Sequence, residues 1–489
     1  MVEQTAKHLR PLPLELAPPE DTVKWSSVSL SEVLERGSRL EASVYDIESK
    51  QARETLARCR WELTTVTGEN GLAVAFHRPR FRRVFVEKSN LPIYQPSQIT
   101  EIYPKPYLWI SDKTDANLDA LRVKKNQVLM TCSGTIGKCT FVGETLDNCI
   151  FSHDLLRIET LNKTDGGYLY AFLKSDIGQT LIQANNYGAV ISHIEPHHLA
   201  EIPIPNPQAL IKIEIHNLVM DSFALRDESN ELLDQAEQLL INELNLPPIA
   251  ELKSEYFDNG AKVKNFSVKL SELSERIEAS YHKPIVRAIS EHITKYANEV
   301  TTLGDSRFVS RIILPSRFKR VYVGKGQGVL FFGGKEILQL APAGEKFLSL
   351  KQHDERIKKE LTVEENTVLI TSSGTIGKVA IVPKHWEGWT ANQHMIRVVP
   401  ANKTIAGYIY AWLNTEFGKA LITRFNYGAV VDEIDQRHVA QVQIPLLKNK
   451  DIQQKINDLV LEANQKRFDA YILEQKAIHT INEKVIFAE

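Results

Sequence analysis

Two spans of the chain carry a seven-residue apolar rhythm, and the rest is broken into short runs. From Pro207 to Leu244, Ile211, Leu218, Leu225, Leu232 and Leu239 return every seven positions, and Ile215, Val219, Ala236 and Leu240 widen the stripe. No Gly interrupts this span, no Pro follows its first residue, and "NLPP" at Asn245–Pro248 closes it. The pattern predicts one helix with a single apolar face, roughly 55 Å long at the standard rise. The C-terminal span, Asp451 to about Ile486, repeats the idea with Ile452, Ile456, Leu459, Ala463, Ala470, Leu473 and Ala477. Two helices of matched length most simply bury their seams against each other as an antiparallel pair. Docking of each helix on its own domain is the alternative.

Between the spans, β-type runs dominate: Val84–Val86, Val128–Cys132, Cys139–Gly143 and Leu155–Glu159, with "TVLITS", "VAIVP" and "MIRVVP" as later counterparts. Helical stretches are expected at Tyr168–Ala184 and Tyr408–Phe425. This mixture predicts an α+β fold, a twisted and mainly antiparallel sheet with a few packed helices, rather than a doubly wound nucleotide-binding sheet.

The counterparts belong to a duplication. "TCSGTIGK" at Thr131–Lys138 and "TSSGTIGK" at Thr371–Lys378 agree at seven of eight positions, 240 residues apart. At that offset Gly166–Ile194 aligns with Ala406–Ile434, and "EIPIP" at Glu201–Pro205 falls on "QVQIP" at Gln441–Pro445. Nearer the N-terminus, at an offset of 237, "RLEAS" (Arg39–Ser43) aligns with "RIEAS" (Arg276–Ser280), and "RFRRVFV" (Arg80–Val86) with "RFKRVYV" (Arg317–Val323). The expected organisation is an extension at 1–25, domains at 26–206 and 249–447, and helical spacers at 207–248 and 448–489.

Composition narrows the class only a little. At 489 residues, 25% charged, 43% hydrophobic and a net charge of -2, the chain reads as an ordinary globular protein of several domains with no global basic excess. Local basic faces remain possible at such a charge. The first residues lack the apolar core of a secretory signal and no window approaches a membrane span, so a cytoplasmic, membrane-free protein is expected. Cys59, Cys132, Cys139 and Cys149 fit no zinc spacing and read as small buried thiols.

The Gly-Lys loop resembles a phosphate cradle only at first sight. A Walker A motif needs Gly where Cys132 and Ser372 stand, and Ser or Thr where Cys139 and Val379 stand. A strand-type run follows it instead of a helix, so no helix N-terminus faces the phosphates. Strand–"SGTIGK"–strand reads as a hairpin with glycines at the turn, with Thr135, Lys138, Thr375 and Lys378 at a tip within reach of a DNA backbone. Signatures of dinucleotide binding, serine hydrolysis and zinc proteolysis are missing from the sequence. Ser152, His153 and Asp154 resemble a catalytic cluster, but the second copy has Asn392, Gln393 and His394 there. A duplicated active site fails on that difference, and these residues read as turn residues.

Taken together, the duplicated R-[LI]-E-A-S opening, "VLITSSGTIGKVAIV", "NYGAV" and a heptad helix closing each half resemble the DNA-specificity (S) subunit of type I restriction–modification enzymes. The resemblance runs from about Val28 to the C-terminus. It implies two target-recognition domains, each reading one half of a split double-stranded DNA sequence, held apart by paired coiled-coil helices. It implies docking of two DNA adenine methyltransferase (M) subunits and association with restriction (R) motor-nuclease subunits. It also implies no cofactor on this chain: S-adenosylmethionine, ATP and Mg belong to the partners, and the S subunit is non-catalytic. A stand-alone DNA-binding or phage-defence regulator of the same architecture, with no methylase partner, is the alternative. The chain departs from the family in its Pro-rich extension at Met1–Trp25 and in "EAS" where an acidic-Ala-aromatic string is usual.

If the copies read different bases, what they share is scaffold or phosphate contact, and what differs includes the readout. The shared polar positions are Arg80/Arg317, Arg82/Lys319, Arg83/Arg320, Lys88/Lys325, Thr135/Thr375, Lys138/Lys378 and Tyr187/Tyr427. These are the expected DNA-binding residues, with a solvated strand face as the plainer reading of the Arg-rich run. The divergent stretches are Asp46–Pro79 against Lys283–Ser316 and Thr100–Asn126 against Lys335–Asn366. Base edges are read by long polar side chains, which makes Arg58, Arg60, Lys105 and Lys113 candidates in the first copy and Arg307, Arg311, Lys335 and Lys351 in the second.

Overall fold

A computed structural model describes residues 27–35, 38–40, 42–187, 191–254, 266–273, 276–342, 346–428 and 430–488. The N-terminal extension, Glu41 of the first R-L-E-A-S, and Gly188–Val190 and Ala429 of the two N-Y-G-A-V motifs lie outside the described residues. The chain divides into two compact units. One comprises 1–100, 104–220 and 474–489, and the other 101–103 and 221–473. Each contains one copy of the repeat.

The first copy is built on a four-stranded antiparallel sheet of β1 (Ala73–Phe76), β2 (Val128–Thr131), β3 (Cys139–Phe141) and β4 (Leu155–Thr160), in the order β1-β4-β2-β3. The second has β5 (Val309–Ile313), β6 (Val368–Thr371), β7 (Val379–Ile381) and β8 (Met395–Pro400), in the order β5-β8-β6-β7. Register repeats too: Val128 faces Phe141 and Ile158, and Val368 faces Ile381 and Val398. β2 and β6 are buried along their whole length, and β4 and β8 over their first four residues, because both faces of the sheet are covered there. In the second copy Val368 and Ile370 pack in the same core as Tyr408 and Ile409, whereas Leu369 packs with Phe332 and Trp386.

Each helical stretch expected as one element is two. In the first copy α1 (Gly166–Lys174) ends at Ser175, whose hydroxyl accepts from Gly178 N at 3.1 Å and so starts α2 (Asp176–Ala184). The first long span forms α3 (Ala209–Glu243). In the second copy Thr415 makes the same break, between α4 (Lys403–Asn414) and α5 (Glu416–Thr423). The apolar periodicity runs on through both breaks, which is why the pattern alone shows one helix. A short polar residue able to cap is the only local sign.

The C-terminal span forms α6 (Lys450–Ile481). Within the second unit the two long helices run antiparallel: Ser222 Oγ donates to Ala470 O at 2.7 Å, and Glu228 meets Lys466 at 2.7 Å. Within the first unit Glu214 pairs with Lys484 at 2.7 Å. The buried line of α3 is Ile215, Val219, Phe223, Leu233, Ala236 and Leu240, and the strict heptad series from Ile211 to Leu239 flanks it, half-buried. In the second unit this line joins the core that also holds Ile456, Val460, Ala463 and the domain residues Tyr408 and Ile409. The seams are thus buried against the partner helix and the domain together. Among the described residues no helix is long and apolar enough to cross a membrane.

Candidate nucleic-acid interface

The "SGTIGK" hairpin has the same build in both copies. Gly134 and Gly137 take φ of 71° and 80°, and Gly374 and Gly377 take 73° and 80°, a region open to glycine at little cost. The preceding threonine closes the loop from inside. Thr131 Oγ1 donates to Thr135 O and accepts from Lys138 N at 3.0 Å, and Thr371 does the same for Thr375 and Lys378, again at 3.0 Å. Thr135 and Thr375 are left exposed at the tip, with Lys138 and Lys378 half-exposed beside them. Among the described residues no hydrogen bond or ion pair engages either ammonium.

Motifs far apart in sequence meet at this hairpin. Gly134 N donates to Ser192 O at 2.9 Å and Ile194 N to Cys132 O at 3.0 Å. In the second copy Gly374 N donates to Asp432 O at 3.0 Å and Ile434 N to Ser372 O at 2.9 Å. The turn beginning with Tyr187 or Tyr427 is therefore stitched to the root of the hairpin. The R-x-E-A-S segment joins from the other side: Arg39 Nη2 donates to Asn186 O at 3.0 Å, and Ser280 Oγ to Asn426 O at 3.3 Å. In each unit, then, three of the shared motifs form one constellation.

The basic run lies beside it. Arg80, Arg82 and Lys88 are exposed, and Arg83 is half-buried against Gln95 and Phe85. Arg317, Lys319 and Lys325 are exposed, and Arg320 lies over Phe331. Phe81 of this run packs edge-on against His153, with ring centroids 5.9 Å apart. Burial holds His153 below the ordinary imidazole range, against the pull of Asp154, and the nearby Arg83 and Arg80 add to the shift. The copies differ in one respect: Arg317 pairs with Glu433 at 2.9 Å, whereas the first copy has His193 at the matching position. Burial, then the neighbouring carboxylates Glu195 and Glu433, raise Tyr187 and Tyr427 above the ordinary phenol range.

The readout candidates are scattered. Arg58 lies 3.8 Å from Glu54, and Arg60 stacks over Trp61, whose indole donates to Lys484 O at 2.9 Å; this places the pair beside the C-terminal turn. Lys105 and Lys113 are exposed in the connection between Thr100 and Leu118. Arg307 is held by both Asp305 and Glu299, so reaching a base edge would mean breaking two ion pairs. Arg311 pairs with Glu364 at 3.3 Å, and Lys335 and Lys351 are exposed. The bonds of Arg58, Arg307 and Arg311 run to carboxylates of their own surroundings and not to the constellation around the hairpin.

The residues that sequence reasoning passed over are arginines inside the sheet. Arg157 on β4 and Arg397 on β8 are 0% and 1% exposed. Their guanidinium groups donate to backbone carbonyls, Arg157 to Leu121 O and Arg397 to Leu361 O, both at 3.1 Å. Burial pulls them down to about 10 and about 9, so both stay charged at neutral pH. Their shared offset of 240 was the available signal, hidden because arginine at a strand position ordinarily points to solvent.

Among the described residues no cluster of His, Cys, Asp or Glu is arranged to hold a metal ion. The four thiols are unpaired with one another, and burial pushes Cys132 up to about 11 and Cys139 up to about 12, which leaves neither as a nucleophile.

Residues 342–481 match the family described as "Type I restriction modification DNA specificity domain". No curated protein matches the chain. In structure it is similar to the S subunit of a type-I restriction-modification system from M. genitalium, at 15% identity over 88% of this chain and 96% of that one, with a TM-score of 0.28. It is also similar to the HsdS subunit from Thermoanaerobacter tengcongensis, at 13% identity over 86% and 99%, with a TM-score of 0.27. The matched stretch contains the second hairpin, the Tyr427 turn, β8 with its buried arginine, and α6, and the first copy repeats its motifs in the same order.

Proposed function

We propose that the chain is the non-catalytic reader of a bipartite double-stranded DNA target within a type I restriction–modification complex. Each copy of the repeat reads one half-site, and α3 and α6 serve as the spacer and as the docking surface for DNA adenine methyltransferase subunits. Methyl transfer from S-adenosylmethionine and any ATP-driven cleavage belong to those partners and to restriction subunits. One observation carries the reading: the same constellation of hairpin, tyrosine turn and basic run is built twice in one chain, with different polar residues around it. Shared Arg and Lys positions suit the phosphate backbone, which is the same at every site. Divergent neighbours suit base edges, which are not.

The test is spacing. The chain, co-purified with its partner subunits, should protect two short blocks of a cognate duplex separated by an unprotected gap. Inserting base pairs into that gap should lower affinity to the level of random DNA. Undiminished binding after insertion would contradict the bipartite reading.

A further inference from the structure

The loops Ser152–Asp154 and Asn392–His394 occupy one place in the two copies. Each follows a short parallel strand pair, Ile150–Phe151 on Ile93–Tyr94 and Thr390–Ala391 on Phe331–Phe332. Ser152 N donates to Tyr94 O at 3.1 Å, and Asn392 N to Phe332 O at 2.9 Å. Each loop leads into the strand that carries the buried arginine. Arg397 donates to the carbonyls of Ala391, Asn392 and Met395, so its guanidinium fixes the loop from beneath. Arg157 lies under the first loop and reaches Leu155 O at 3.5 Å. Ser372 N also donates to His394 O at 2.9 Å, which joins the second loop to the root of the hairpin.

On this common scaffold the side chains differ completely, whereas the neighbouring hairpin and basic run are nearly the same. Ser152 Oγ, His153 Nδ1 and Gln393 Oε1 are buried without a hydrogen-bond partner among the described residues. Such atoms are rare because each costs about 1–3 kcal/mol. Such atoms occur at this loop in both copies. The outer positions present opposite chemistry. Asp154, its side chain 45% exposed, offers only acceptors, and Gln393 Nε2 donating to His394 Nε2 at 3.0 Å leaves His394 Nδ1 as a donor. Asp154 Oδ1 lies 3.3 Å from His153 Nε2, beside the basic run.

We propose that these loops are the base-reading elements, with Asp154 discriminating in one half-site and His394 in the other. The proposal rests on the DNA-reading function above and deepens it. A carboxylate at Asp154 selects a base with an exposed amino donor, cytosine N4 in the major groove, and a donor at His394 selects acceptor edges.

The experiment is selection from a pool of randomised duplexes, using the full chain with its co-purifying subunits. Wild type, Asp154→Asn, Asp154→His and His394→Asn are compared. Asp154→His installs the residue that the same scaffold already carries in the other copy, and equal thermal unfolding of all variants confirms folding. Each Asp154 variant should change the preferred base at one position of one half-site and weaken binding to the wild-type target about tenfold. The other half-site and affinity for random DNA should not change. His394→Asn should do the converse. Unaltered base preference in all three variants overturns the proposal while leaving the DNA-reading function standing. A wild-type complex that enriches no sequence overturns both.

Discussion

A single methyl group tests how each domain is seated on its long helix. Gly407 lies in the interior of α4, where its amide donates to the side chain of Asn457 on α6 at 2.9 Å. A Cβ added there would sit 2.3 Å from Asn457 O and 3.1 Å from its Cα, whereas ordinary contact begins at 3.4 Å. The obstructing atoms are backbone, so relief needs α4 and α6 to separate locally by about 1 Å, with loss of close contacts along both. Overpacking of this kind costs about 1–3 kcal/mol or more, against a gain of about 1 kcal/mol for replacing a mid-helix Gly with Ala. Gly407→Ala should therefore destabilise the second unit by up to about 2 kcal/mol, a fall of up to about 8 °C in Tm for a domain of this size. Gly167→Ala, with a Cβ 2.7 Å from His216 Cα, should act in the same direction on the first unit. Scanning calorimetry decides the matter, because helix propensity alone predicts the opposite sign. A rise in Tm for Gly407→Ala would refute the close seating.

Other expectations follow from the same contacts. Arg397→Met removes the donor from the carbonyls of Leu361, Ala391 and Met395, which are buried, and of Asn392, which is partly so, and should cost about 3 kcal/mol; an unchanged or higher Tm would mean that relief of desolvation wins. Lys138→Ala and Lys378→Ala should each weaken binding to all duplexes alike and reduce the slope of log affinity against log salt by about 1, and a change of base preference would contradict a phosphate role. Burial holds His198, which is 6% exposed and accepts from Glu195 N at 2.9 Å, at about 4 instead of 6.5. The unfolded chain then binds more protons between those values, so stability is complete above pH 6.5 and falls below it, by about 2 kcal/mol at pH 5. His198→Asn should flatten that part of a Tm-against-pH curve, and an unchanged curve would place the proton elsewhere.

The sequence was informative wherever a period or a repeat carried the information. The long helices show as heptads, and the hairpins show because Gly and Lys recur at fixed positions in both copies. The buried line of α3 runs through Ile215, Val219, Ala236 and Leu240, the positions that widen the stripe, while the strict heptad positions Ile211 and Leu218 flank it because the helix also seats a domain. The helix breaks at Ser175 and Thr415 interrupt no apolar pattern, and only their caps reveal them. Residue type proved a weak guide to the site. Arg307 suits base readout, yet Asp305 and Glu299, two and eight residues away, hold it. The loops at 152–154 and 392–394 read as ordinary turns in one dimension. Their place above buried arginines and beside the basic run emerges only when β4 and β8 bring strand ends and hairpin roots together.

The central claim, a bipartite reader that directs DNA methylation, meets its most direct test in the methylome of the host with and without this gene. The account predicts an adenine-methylated motif of two short specified blocks separated by a fixed unspecified gap, present in the wild type and absent from the deletion strain. Identical methylomes, or loss of a single uninterrupted motif, would contradict it.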